Sequence, residues 1–392
     1  LELAGNYTLN ITVGTSEVTI PPQMIQELTI TQDADRLVPT FKMALTDATN
    51  LLSDILPYDK NTSKLSIEFA RVGSASELNV LHFRAIRRKS KSPEGSYEIE
   101  GVLDVPQLLT HRRSRALSGD VKTILEDMAR TDLQIPSSEV GASLSYEKTI
   151  LQPGWTDAKL LRYLRTNLKG RNNEGGYQCF IKVTQGNPTF VFKSLDEILI
   201  SPVAYKFIVG YKDYKDFYPI GEYQVYDDSG ILTDLSAKQQ DYGFFNYDTG
   251  AWTEGAINIA NCPALSELYL VDADKDANAN YILRTGRSND FTSDFQDRVR
   301  NDFYLRISNL VHMWASTWGL ESIAPGDIVE VVFAEALDRG QLFLYQHSGL
   351  WMVKRAVHIF GTSYMTNMLL TRCGVDTDIS TTLQEVTNRK RR

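Results

Sequence analysis

Apolar and polar positions alternate through the first part of the chain. Tyr7, Leu9, Ile11 and Val13 alternate with Thr8, Asn10 and Thr12, the period of two of a half-buried strand. A turn at Gly14-Thr15 leads to a strand at Val18-Thr19-Ile20, which Pro21-Pro22 stops. The alternation recurs at Phe41, Met43 and Leu45, and at Leu65, Ile67 and Phe69. Val80–Arg88 and Ser96–Leu103 predict a hairpin joined by the polar turn Ser90–Gly95. Short strands at such close spacing predict a small barrel or sandwich. Thr46–Leu56 reads as a short helix or a loop.

The period changes past Pro106. Val121, Ile124, Leu125, Met128 and Ala129 share one helix face, with Ser118 or Asp120 as N-cap. A second helix from Thr156 carries Leu160, Leu161, Leu164 and Leu168, and Gly170 is expected to stop it. A strand at Tyr177–Val183 and another at Thr189–Phe192 follow, around the turn Gln185–Pro188. Strand alternation returns at Tyr205–Tyr211, whereas Tyr214–Asp248 shows no clear period and reads as loops and short edge strands. Phe295, Val299 and Phe303 mark a helix within Asp290–Phe303. Ile328–Phe333 reads as a buried strand entered by Pro325-Gly326-Asp327, and Gln341–Tyr345 as a further strand. Trp351–Ile359 and Tyr364–Arg372 read as a long hairpin about Gly361-Thr362-Ser363. Both ends are therefore β around an α+β middle, and two barrels with insertions fit that order.

Length and charge narrow the function classes. At 392 residues the chain has room for two to four domains. Its 42% hydrophobic and 23% charged content excludes a disordered chain, a coiled coil and a collagen-like fibre. A net charge of −8 argues against a general nucleic-acid binder, because phosphate attraction needs a basic surface. Ile307–Leu320 lacks Asp, Glu, Lys and Arg but contains Ser308, Asn309 and His312 and is shorter than the ~20 apolar residues of a helical span. No membrane insertion is expected. Cys179, Cys262 and Cys373 are odd in number and lack metal spacing, which favours a reducing compartment over disulfides or zinc. Leu1–Gly5 shows no secretory pattern.

Spacing yields no active site. None of His82, His111, His312, His347 and His358 lies in a metal-binding pair, and His358 reads as a packed or edge histidine. No nucleophile elbow, P-loop or dinucleotide fingerprint is present. Asp272, Asp274, Asp276, Asn278 and Asn280 have calcium-loop spacing, but Ala277 and Leu283 stand where glycine and a bidentate glutamate are needed. That run reads as a solvated acidic loop. Trp155, Trp252, Trp314, Trp318 and Trp351 suit core or interface packing, with sugar platforms as the alternative. Arg389, Lys390, Arg391 and Arg392 form a basic end that reads as a solvated tail or as a contact for an acidic partner. No cofactor or metal is expected.

Three stretches resemble the baseplate hub proteins of contractile-tailed phages, the late-control D family and the hub portion of type VI secretion spike proteins. The first is Gln152-Pro153-Gly154-Trp155-Thr156 running into Asp157–Leu168, then Gly175-Gly176-Tyr177 and Phe190-Val191-Phe192. The second is Ala324-Pro325-Gly326-Asp327-Ile328-Val329. The third is Ser348–Val353 through His358, then Met368–Arg372. The resemblance implies two small tube-type β-barrels with inserted domains: a first barrel over 1–106 and an α+β insertion over 107–200. It implies a second barrel from 201–248 and 304–376, a loop-rich insertion with a helix over 249–303, and a basic tail over 377–392. It further implies a non-enzymatic homotrimeric ring joining the tail tube protein to the central spike protein, in contact with other baseplate proteins. DNA would pass through its channel without specific binding. The implied location is the virion baseplate, assembled in the host cytoplasm. A glycan-binding tail protein of β-sandwich type is the alternative, followed by a cell-wall hydrolase.

Overall fold

The computed structural model describes residues 7–14, 18–47, 63–72, 79–91, 95–171, 174–210, 216–228, 239–258, 280–286, 292–334 and 347–372. The fold is mainly β, and one 14-stranded sheet runs through both β-rich parts of the chain.

The N-terminal part comprises β1 (Tyr7–Val13), β2 (Val18–Ile20), β3 (Ile25–Asp33), β4 (Thr40–Thr46), β5 (Lys64–Arg71), β6 (Asn79–Lys91) and β7 (Ser96–Leu103). They curl into a half-barrel in the order β3-β4-β7-β6-β5-β1-β2. The alternation supplies its core: Ile11, Ile30, Phe41, Met43, Ile67 and Phe83 are buried on the inner face.

The following segment holds α1 (Pro106–Thr110), β8 (Arg112–Asp120), α2 (Val121–Asp127), β9 (Ser137–Val140), β10 (Glu147–Thr156), α3 (Asp157–Asn167), β11 (Gln178–Thr184), β12 (Asn187–Lys193) and α4 (Leu195–Leu199). β8 and β10 pair as an antiparallel ribbon, and β9, β12 and β11 form a second small sheet. Asp120 caps α2 by accepting the Thr123 N–H at 3.1 Å, and Thr156 caps α3 by accepting the Lys159 N–H at 3.3 Å. The expected stop at Gly170 is corrected: α3 ends at Asn167, and Leu168 is already extended. Gly170 serves another need, since a Cβ there would press on the Tyr177 hydroxyl.

The remaining strands are β13 (Val203–Val209), β14 (Tyr218–Ile220), β15 (Glu222–Asp227), β16 (Gln239–Asn246), β17 (Trp252–Asn258), β18 (Asn280–Gly286), β19 (Val311–Trp318), β20 (Ile328–Phe333), β21 (Gly349–Phe360) and β22 (Tyr364–Arg372). Helix α5 spans Thr292–Ile307. β13 lies parallel to both β14 and β20, and β20, β21, β22, β19 and β15 follow in antiparallel pairs. β14 and β15 flank Gly221, whose N–H donates to the Ser316 carbonyl at 2.9 Å. The segment 218–227 thus bridges β13 and β19 and closes this part into a barrel over Phe207, Met313, Val331, Trp351 and Leu370.

β16 pairs with β17 and β18 in a sheet of its own, so the expected barrel stretch 201–248 divides between Asp228 and Gln239. The cause is packing: Tyr242 and Phe244 bury against Phe295, and Val299 of α5 belongs to the same core. The first half of β21 pairs with β20 and its second half with β3, which fuses the two β-rich parts edge to edge. The expected strand Gln341–Tyr345, most of Thr46–Leu56, the acidic run Asp272–Asn278 and the tail over 377–392 lie outside the described residues.

Candidate functional site

The three stretches that carry the resemblance occupy load-carrying turns and buried knots. In the first, Gln152 is buried, accepts the Arg115 Nε–H at 2.7 Å, and donates to Asp157 Oδ1 at 2.9 Å. Around it Arg113 and Arg115 both pair with Asp132 and Asp157, two cations against two anions. The cluster fixes the β8–β10 ribbon to the first turn of α3, where the helix dipole also favours the Asp157 carboxylate. In the second stretch, the Asp327 carboxylate accepts the Ala324 N–H at 2.9 Å, and the Gly326 N–H donates to the Val353 carbonyl at 2.8 Å. The turn is thereby stapled to β21, and burial pushes Asp327 up to about 6.

The third stretch holds a buried cluster of Trp351, His347, Ser348 and Arg372. The Trp351 indole N–H donates to the His347 carbonyl at 3.1 Å. Arg372 donates to the carbonyls of His347 and Ser348, each at 3.2 Å, with its guanidinium 5.2 Å from the Trp351 ring centroid. His358 is fully enclosed beside Tyr364, Nδ1 to hydroxyl 2.8 Å, and desolvation lowers it to about 4, so it is a neutral core group. The packed-histidine reading of the sequence holds.

A separate polar junction ties the β-rich parts and insertions together. Asp33, at the end of β3, accepts the Arg355 Nε–H at 2.7 Å. Asp35 pairs with Lys354 at 2.8 Å and with Arg165 of α3 at 3.0 Å. Burial opposes its charge, yet the two cations hold it below the usual carboxylate range. Lys354 also donates to Asn309 Oδ1 at 2.8 Å. Nearby, buried Asn301 of α5 donates to the carbonyls of Thr166 and Leu168, each at 3.0 Å, and accepts the Gly176 N–H at 3.0 Å. Spacing along the sequence could not find these partners, which are brought together only by the sheet.

The remaining reactive groups are sequestered or scattered. Burial drives the Cys179 thiol up to about 12, which silences it as a nucleophile, and Cys262 and Cys373 lie outside the described residues. Among the described residues no cluster of His, Cys, Asp and Glu suits a metal ion, and no helix is long and apolar enough to cross a membrane. Arg389, Lys390, Arg391 and Arg392 also lie outside the described residues. The tryptophans divide: Trp351 is core, Trp155 is partly buried, and Trp252, Trp314 and Trp318 are exposed.

No protein-family model matches the chain, and no curated protein matches it. Solved structures do resemble it in fold. A tail protein from Neisseria meningitidis MC58 shares 12% identity at a TM-score of 0.57, over 94% of this chain and 98% of that one. A 43 kDa tail protein of prophage MuSo2 from Shewanella oneidensis shares 9% identity at a TM-score of 0.58, over 94% and 98%. The E. coli c3393 protein, a type VI secretion component with structural similarity to the T4 bacteriophage tail proteins gp27 and gp5, shares 12% at a TM-score of 0.52, over 93% and 76%. At these identities the likeness is one of fold.

Proposed function

We propose that this chain is a structural hub of a phage tail baseplate or a related contractile injection machine, without catalytic function. The observation that carries the reading is the fusion of a half-barrel and a closed barrel into one sheet through β21. A chain that presents two barrel-like units side by side gives six units in a trimer, the number needed to meet a sixfold tube while keeping threefold symmetry for a spike. The tail proteins and the type VI component that share the fold support the same role. So does the use of the motif residues: Gln152, Asp327 and Trp351 hold strands and turns in place.

In this reading the barrel units form the ring, and the α+β segment and the sheet packed on α5 form its periphery. The tail tube protein, the central spike protein and other baseplate proteins are the partners. The basic end at Arg389–Arg392 contacts an acidic partner surface. DNA passes through the channel, and the net charge of −8 per chain disfavours its adhesion. The protein is a virion component assembled in the host cytoplasm. Gold-labelled antibody against the chain, applied to intact particles of the encoding element, tests the role. Label confined to the tail end distal to the head is expected; label on the head or along the whole tail contradicts it.

A further inference from the structure

The outward side of β19 carries an unusual row of side chains. His312, Trp314, Ser316 and Trp318 point away from the barrel core, while Val311, Met313 and Ala315 point into it. Trp314 is 37% and Trp318 43% exposed; Trp314 lies between β15 and β22, and Trp318 ends β19 beside Met365 of β22. By strand rise the two indoles stand about 13 Å apart on one face.

Trp314 is flanked by Leu369 of β22 on one side and by polar groups of β15 on the other. Register places Gln224 of β15 directly beside it and Glu222 beside Ser316, and Asn367 of β22 lies on the other side of Ser316. These groups and Trp314 line a shallow groove of about 240 Å³. The Trp314 ring lies 5.7 Å from the Arg355 guanidinium, and Arg355 is itself held by Asp33 at 2.7 Å. The platform is thus part of the sheet scaffold and is set before any ligand arrives.

We propose that this face of β15, β19 and β22 binds a neutral oligosaccharide, with Trp314 and Trp318 as stacking platforms and Glu222, Gln224, Ser316 and Asn367 as hydroxyl partners. An indole offers a flat, electron-rich face to the C–H side of a pyranose ring. A carboxylate, two side-chain amides and a hydroxyl offer both donors and acceptors to the ring hydroxyls. A protein partner seated on the tryptophans would have to desolvate those same polar groups and match each one, which a sugar does with its own hydroxyls. Among the described residues lining the groove there is no cation, its carboxylate Glu222 disfavours an anionic ligand, and the adjacent Arg355 is paired with Asp33. The inference stands on this groove alone and does not depend on the hub reading.

The test is calorimetric titration of the purified full chain with chitotetraose, cellotetraose and maltotetraose. At least one is expected to bind, with Trp314→Ala weakening it tenfold or more and Trp252→Ala, at an exposed tryptophan elsewhere, leaving it unchanged. Trp318→Ala is expected to weaken the tetrasaccharide more than the corresponding disaccharide. Gln224→Ala provides a second variant that leaves the tryptophans in place, and it is expected to weaken binding in the same direction. Failure of all three sugars to bind wild type, or equal binding by Trp314→Ala, overturns the proposal. So does a Trp314-dependent protein partner found where no sugar binds.

Discussion

Replacing Asn301 by Ala tests how the insertions are locked to each other. The Asn301 side chain makes three hydrogen bonds of 3.0 Å, two to carbonyls at the C-terminal end of α3 and one from the Gly176 N–H. The residue is 1% exposed, so water does not replace the lost partners without rearrangement. Each unsatisfied buried backbone group costs about 1–3 kcal/mol, and relaxation recovers part of that, giving a loss of about 3–5 kcal/mol. Because the chain has several cores, the change is read locally as well as in global unfolding. Amide exchange of residues 166–171 and 174–176 is expected to accelerate about a hundredfold or more, while β3 and β4 stay protected. Asn301→Asp is expected to be worse than Asn301→Ala, because it sets a carboxylate against two carbonyl oxygens. A loss below about 0.5 kcal/mol with unchanged exchange in 166–176 would refute the reasoning.

Asp327 and His358 act in opposite directions across the same pH range. Asp327 is raised to about 6 when folded, so its contribution is present at low pH and lost as pH rises through 6; His358 is lowered to about 4, so its contribution is present above 6.5 and lost as pH falls toward 4. Urea titrations from pH 4 to 7 should therefore show Asp327→Asn gaining about 3 kcal/mol relative to wild type as pH rises, and a flat difference would count against the buried carboxylate. Asp35→Asn leaves Lys354 and Arg165 facing each other without their anion; the site is partly exposed, so a loss of about 1 kcal/mol that shrinks in high salt is expected in thermal unfolding at two salt concentrations. Gly176 has φ +67°, and an added Cβ would stand 2.6 Å from Leu195 Cδ1 and 2.9 Å from Tyr304 Cβ, so Gly176→Ala should cost about 2–4 kcal/mol in urea unfolding.

Strands with one wet and one dry face were legible in the sequence. β1, β4, β5 and the β21–β22 hairpin follow the alternation that predicted them, as do α2 with its Asp120 cap and the buried face of α3. β8 and β10 were not, because their ribbon buries few side chains and Arg112, Arg113 and Arg115 give no apolar period. β19 was missed for the opposite reason: Trp314 and Trp318 face outward while Val311 and Met313 face inward, so both faces carry large apolar groups and the period vanishes. β16 shows a similar loss of contrast, with Tyr242, Phe244 and Phe245 clustered in sequence. The Asp33, Asp35, Lys354 and Arg355 junction was invisible because its members lie some 320 residues apart and common charges carry no pairing information in sequence. The helix stop was misplaced because Gly170 answers to the Tyr177 hydroxyl and not to the end of α3.

The most direct test of the hub account is the mass of the purified chain in solution across a range of concentrations, with electron images of the same sample. The account predicts a species of three times 44.2 kDa, about 133 kDa, seen as a ring with a central hole. A monomer near 44.2 kDa at every concentration, with no ring in the images, would contradict it.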